Sequence, residues 1–145
     1  MTDVQAMIMT QEGTGPVRGD TFSPYTDSVG ILTIGYGHNL EAKGVPRTVV
    51  NMLLSEDIAD AIDDVRHVCS VYDQLSRPRQ LVLISMAFNL GREGLNQWPR
   101  FLGAVHLGNW ADAADEILNS KAASQAKVRY QTLATMMREN TSQWI

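Results

Sequence analysis

Two carboxylates and a hydroxyl stand within the first 33 positions of this 145-residue chain: Glu12, Asp27 and Thr33. Glu12 falls where a helical pattern ends. Unpaired carbonyls in a last helical turn place partial negative charge there, which disfavours a carboxylate and favours its protonated form. A carboxyl that keeps its proton near neutral pH can protonate a leaving-group oxygen. Taken singly, each residue also has an ordinary reading. Glu12 can be a surface residue, Asp27 a turn residue, and Thr33 a β-branched strand residue.

The elements that must position them are legible from patterning. A first helix is predicted from about Asp3 to Glu12, capped by Thr2 or Asp3. Val4, Met7 and Ile8 form its expected buried stripe, and Gly13 stops it. Thr14–Pro24 reads as irregular chain broken by Gly15-Pro16 and Ser23-Pro24. Tyr25–Asp27 and Ile31–Tyr36 read as a hairpin joined by Ser28-Val29-Gly30. That register sets Asp27 opposite Ile31 and Tyr25 opposite Thr33, so Asp27 and Thr33 lie diagonally on one face.

A long helix is predicted from about Pro46 to Ser70, with an interruption allowed at Ser55 and an acidic outer face of Glu56, Asp60, Asp63 and Asp64. A nearly all-apolar helix from about Ser76 to Leu90 reads as the central buried one, ended by Gly91. Shorter helices follow at about Pro99–Leu107, Trp110–Leu118 (capped by Asn109) and Ser124–Arg138. The predicted class is α+β, mostly helical.

Bulk properties narrow the function classes. An apolar fraction of 44% and a charged fraction of 19% are those of a globular domain. The net charge of −4 is uneven: residues 1–75 hold eleven acids and four bases, residues 76–145 five acids and eight bases. The basic half could face a polyanion such as bacterial cell wall. No basic run, base-stacking aromatic cluster or zinc spacing suggests nucleic acid, and no spacing suggests a metal or another cofactor. No stretch approaches the ~20 apolar residues of a membrane span. Met1–Met9 carries no basic residue and reads as a poor secretory leader. A single cysteine, Cys69, rules out an internal disulfide.

Glu12-Gly13, Tyr25-Thr26-Asp27, Gly30 and the run Thr33-Ile34-Gly35-Tyr36-Gly37-His38 together resemble the phage-type lysozymes, the muramidases of tailed bacteriophages (glycoside hydrolase family 24). The likeness continues through Val71–Leu75, Met86–Gly91, Trp110–Leu118 and Arg129–Arg138. It implies a two-lobed fold with a cleft. A small β-containing lobe would span about 13–55, and a helical lobe about 1–12 and 56–145, joined by the long helix. It implies cleavage of the β-1,4 link between N-acetylmuramic acid and N-acetylglucosamine. Glu12 would be the general acid, with Asp27 and Thr33 positioning and activating water for attack with inversion, which needs carboxyls roughly 6.5–9.5 Å apart.

The resemblance also implies that Gly35 and Gly37 let a sugar approach the backbone. Asn39, Phe88 and Asn89 would be cleft contacts, and Arg129 would lie near the acid. His38 is expected to be structural, ion-paired with Asp57. His67 and His106 are expected at the surface. Trp98, Trp110 and Trp144 could stack on sugars, although Trp98 and Trp110 read better as packing residues.

The chain departs from the family between Glu12 and Asp27, where Thr14–Pro24 contains inserted residues, among them Arg18 and Asp20. Asp20 is a rival second carboxylate, but Asp27 keeps the spacing to Gly30 and Thr33. Phe101 and Glu116 stand where small or amide residues are common. The expected partner is the peptidoglycan glycan strand, with no nucleic acid and no membrane insertion. The expected setting is a monomeric endolysin, held in the host cytoplasm until a holin releases it for lysis. Rival readings are a lytic transglycosylase, against which Asp27 and Thr33 argue, and a wall-binding or virion-structural domain.

Overall fold

The computed structural model describes residues 1–143. Eight α-helices and two small antiparallel sheets among these residues give the mostly helical α+β class expected. The chain divides into two compact units, one comprising Met1–Met52 and the other beginning at Leu53.

In the first unit, helix α1 spans Asp3–Glu12 as predicted. Thr2 and Gln5 close a capping box: Thr2 Oγ1 accepts from the Gln5 N–H at 3.2 Å, and Gln5 Oε1 accepts from the Thr2 N–H at 2.8 Å. Gly13, with φ 69°, ends the helix. The expected stripe of Val4, Met7 and Ile8 is exposed instead. Ala6 and Met9 are the half-buried positions. Apolar residues run on from Met7 to Met9 with Val4 and Ala6 before them, so the pattern does not single out one face.

The segment expected to be irregular contains a hairpin. Strand β1, Val17–Arg18, pairs antiparallel with β2, Thr21–Phe22, across a Gly19-Asp20 turn. Gly19 takes φ 59°, as such two-residue connections require. Strands of two residues are too short to show alternation in the sequence.

The second sheet orders β3 (Tyr25–Thr26), β4 (Leu32–Ile34) and β5 (His38–Asn39). Tyr25 opposes Thr33 and Thr26 opposes Leu32, and the Asp27 N–H donates to the Ile31 carbonyl at 2.9 Å. This is the predicted register. The predicted second strand, however, stops at Ile34. Gly35 (φ 58°) and Gly37 (φ 74°) turn the chain, and His38–Asn39 returns as a third strand. A short helix α2, Leu40–Lys43, follows, capped by Asn39.

Helix α3, Arg47–Val68, begins in the first unit, runs unbroken through Ser55 and ends in the second. Pro46 precedes it and accepts through its carbonyl from the Val49 and Val50 N–H groups.

The second unit holds the core. Helix α4, Arg77–Asn96, buries Val82, Leu83, Ile84, Met86, Ala87 and Leu95, the central role its composition predicted. Gly91 (φ 66°, ψ 178°) breaks its path, but helix resumes to Asn96 rather than ending at Leu90. Helices α5 (Pro99–His106) and α6 (Trp110–Leu118) stand where predicted, but Asn109 makes no side-chain capping bond, its amide nitrogen donating to Asp112 Oδ2 instead. The predicted last helix is two: α7, Lys121–Gln125, and α8, Lys127–Glu139, parted at Ala126 with φ −134° and ψ 55°. No proline or glycine marks that break in the sequence.

Phe101, Leu83, Met86, Leu95, Ile117, Met136 and Met137 are the largest fully buried side chains, each contributing about 1.5–3 kcal/mol by burial. Phe101, flagged as a departure from the family, is thus a core residue, with Trp98 edge-on at 5.6 Å between ring centroids. Trp110 lies under the Arg79 guanidinium at 3.8 Å. His67 and His106 are exposed, while Trp144 lies outside the described residues. No helix among the described residues is long and apolar enough to cross a membrane. No group of His, Cys, Asp and Glu among them could hold a metal ion.

Candidate active site

The first unit contains Glu12, Asp27 and Thr33 together. Glu12 is the last residue of α1 and is exposed. Its side chain rests on the β4–β5 turn: a Cβ on Gly37 would lie 3.1 Å from Glu12 Oε2. The absence of a side chain at Gly37 therefore gives the carboxylate its place. That turn is tight, with the Gly37 N–H donating to the Gly35 carbonyl at 2.9 Å.

Asp27 sits at the β3–β4 turn and is half-buried. Its Oδ1 accepts from the Val29 and Ile31 N–H groups, both at 2.9 Å. One oxygen thus holds the turn, as an aspartate at such a position does. Thr33 is buried, at 3% exposure, and its hydroxyl donates to the Ile31 carbonyl at 3.0 Å. Asp27 and Thr33 consequently grip the two polar groups of the same residue, Ile31. Because that proton is committed to Ile31, the Thr33 oxygen has only acceptor capacity left.

Tyr25, opposite Thr33 in the hairpin, ties this sheet to the inserted segment. Its ring covers Gly15, where an added Cβ would fall 2.2 Å from the ring. Its hydroxyl donates to the Gly35 carbonyl at 3.4 Å. Phe22 of the inserted hairpin meets Tyr36 at 6.0 Å between ring centroids. Asp20, the rival carboxylate, is in the β1–β2 turn and exposed.

Other expected residues have local partners. Asn39 Oδ1 accepts from the Ala42 N–H at 2.8 Å, so Asn39 is a helix cap. His38 Nε2 lies 2.7 Å from the Gly44 carbonyl oxygen. Glu41 Oε1 accepts from the Leu32 N–H at 3.2 Å, closing the sheet on α2.

The second unit gathers three more of the expected residues. Phe88 is 44% exposed and borders a hollow of about 360 Å³ with Asp57, Asp60, Ala61, Asp64, Ala87 and Gly91. Arg92 bonds Asp64 at 2.9 Å and Asp63 at 3.4 Å beside it. Asn89 and Arg129 are joined directly: Arg129 Nη1 donates to Asn89 Oδ1 at 2.8 Å. Ser85, which drew no notice in the sequence, stands between them. It accepts from Arg129 Nη2 through its hydroxyl at 3.0 Å, and from Asn89 Nδ2 through its carbonyl at 2.6 Å. The i, i+4 spacing of Ser85 and Asn89 on a predicted helix was the available signal.

Residues 17–138 match the family described as Phage lysozyme. That span includes Asp27 and Thr33 and begins after Glu12. A relative from Dictyostelium discoideum, named Probable T4-type lysozyme 2, is 22% identical, in an alignment covering 86% of this chain and 90% of that protein.

Proposed function

The chain belongs to the phage lysozyme family, and from that premise we propose that it cleaves the β-1,4 bond between N-acetylmuramic acid and N-acetylglucosamine with inversion. The enzyme is a lysozyme, a muramidase acting on peptidoglycan. The observation that carries the finer reading is the seat of Glu12. The family match leaves this residue out, yet it ends α1 against Gly37, in the same unit as Asp27 and Thr33.

In this reading Glu12 gives its proton to the leaving sugar oxygen. A water attacks the anomeric carbon from the opposite face of the ring. Asp27 accepts one proton of that water through Oδ2, since Oδ1 is engaged by the turn. The Thr33 oxygen accepts the water's other hydrogen. A water bound through both hydrogens directs a lone pair at carbon, which is the orientation attack requires. Glu12 ends as a carboxylate and Asp27 as the acid, and return of one proton resets the site.

Gly35, Gly37, Asn39, Phe88, Asn89 and Arg129 are proposed as glycan contacts, and His38 as a structural group held on the Gly44 carbonyl. Host lysis, retention in the host cytoplasm until a holin opens the way, and action as a monomer belong to the same proposal. The family's name supports its link to phages.

Product analysis of digested peptidoglycan tests it. Expected are reducing N-acetylmuramic acid ends, released first as the α anomer. Anhydro-sugar ends would instead show a transglycosylase, and a first-formed β anomer would show retention.

A further inference from the structure

Arg129 is exposed, yet its guanidinium is held by three acceptors: Asn89 Oδ1 at 2.8 Å, Ser85 Oγ at 3.0 Å and the Ser85 carbonyl at 3.3 Å. Asn89 Nδ2 donates to the same Ser85 carbonyl at 2.6 Å. Four hydrogen bonds thus close among three residues on two helices, with Ser85 taking part in three. All the acceptors are neutral. Among the described residues of its unit Arg129 has no carboxylate partner, so its charge is not cancelled there.

A guanidinium carries five N–H donors in a fixed fork, and these contacts engage Nη1 and Nη2 only. The Asn89 amide is likewise fixed, with Oδ1 turned to Arg129 and Nδ2 to Ser85. Its second N–H, the Arg129 Nε–H and the second Nη1–H remain as donors.

We propose that Ser85 is a positioning residue, which sets Arg129 and Asn89 as a preformed donor surface for acceptor oxygens of the glycan strand. This rests on the peptidoglycan reading above. The acceptor chemistry has two sources, the acetamido oxygens of the sugars and the carboxylates of the peptide stems. A surface ordered before substrate arrives loses less entropy on binding, so loosening it weakens KM first.

The test compares Ser85→Ala, Arg129→Ala and the double variant on purified peptidoglycan and on glycan strands stripped of peptide. Expected for Ser85→Ala is a rise in KM of about three- to tenfold, the worth of one hydrogen bond, with a smaller change in kcat. In the Arg129→Ala background the same substitution has no further effect. A rise on both substrates identifies sugar oxygens, and a rise on intact peptidoglycan alone identifies stem carboxylates. An unchanged KM, or effects of the two substitutions that simply add, would overturn the proposal. Wild-type release of reducing ends checks the underlying reading separately. If there is none, binding of the same variants in a Glu12→Gln background to insoluble peptidoglycan still tests the role of Ser85.

Discussion

The Glu12 side chain occupies the space a side chain on Gly37 would need: a Cβ there would lie 3.1 Å from Glu12 Oε2, 3.5 Å from Cδ and 3.6 Å from Cγ. The end of the first helix and the β4–β5 turn therefore fit together through a missing side chain. The glycine is needed twice over, because its φ of 74° is a conformation that other residues adopt at a cost.

Gly37→Ala is expected to lower stability by about 1 kcal/mol through the positive φ, and to displace the Glu12 carboxylate. A shift of a few tenths of an ångström is expected to cost about threefold in kcat/KM, since catalysis is sensitive to placement at the ångström scale. Thermal melts and steady-state kinetics separate the two effects. Full activity in Gly37→Ala would show that the contact does not position the acid.

Asp27 combines a turn role with the proposed chemical one, and two substitutions divide them. Asn retains an Oδ1 that can accept from the Val29 and Ile31 N–H groups, so Asp27→Asn is expected to melt within about 0.5 kcal/mol of wild type while losing activity about 100-fold. Asp27→Ala loses the turn as well, at about 1 kcal/mol or more. An active Asp27→Asn protein would leave Asp27 a turn residue only. Should Asp20→Ala prove the more damaging change, the second carboxylate would be Asp20.

Cys69 is buried, at 5% exposure, and burial pushes its thiol pKa up. It is thus expected to stay unlabelled by a thiol reagent in the native protein at neutral pH, and to react once the protein is unfolded in denaturant. A thiol raised in the folded state favours folding below its unfolded pKa, and that contribution is lost as pH rises through the folded value. Melts taken on the alkaline side should show the decline. Rapid native labelling would contradict the burial.

The parts of this molecule readable from sequence are those with strong local determinants. The first helix has a capping residue, Thr2, and a stop, Gly13. The hairpin register follows from the three-residue turn ending in Gly30, and that register alone places Asp27 and Thr33 on one side of the sheet. The central helix declared itself by an apolar run from Leu81 to Phe88. What stayed hidden depends on contacts distant in sequence or on very short elements. The Val17–Phe22 hairpin is two residues deep on each side. The break at Ala126 carries no glycine or proline. Exposure of Val4, Met7 and Ile8 is decided by what packs on α1. Ser85 gains its importance only because Arg129, 44 positions later, folds onto it.

Glu12 is proposed to supply the proton for glycan cleavage. The most direct test is release of reducing ends from purified peptidoglycan by wild type and by Glu12→Gln, with circular dichroism and a thermal melt on both. Near-complete loss of release is expected in Glu12→Gln, with spectrum and melt unchanged. Equal release by the two proteins would contradict that role.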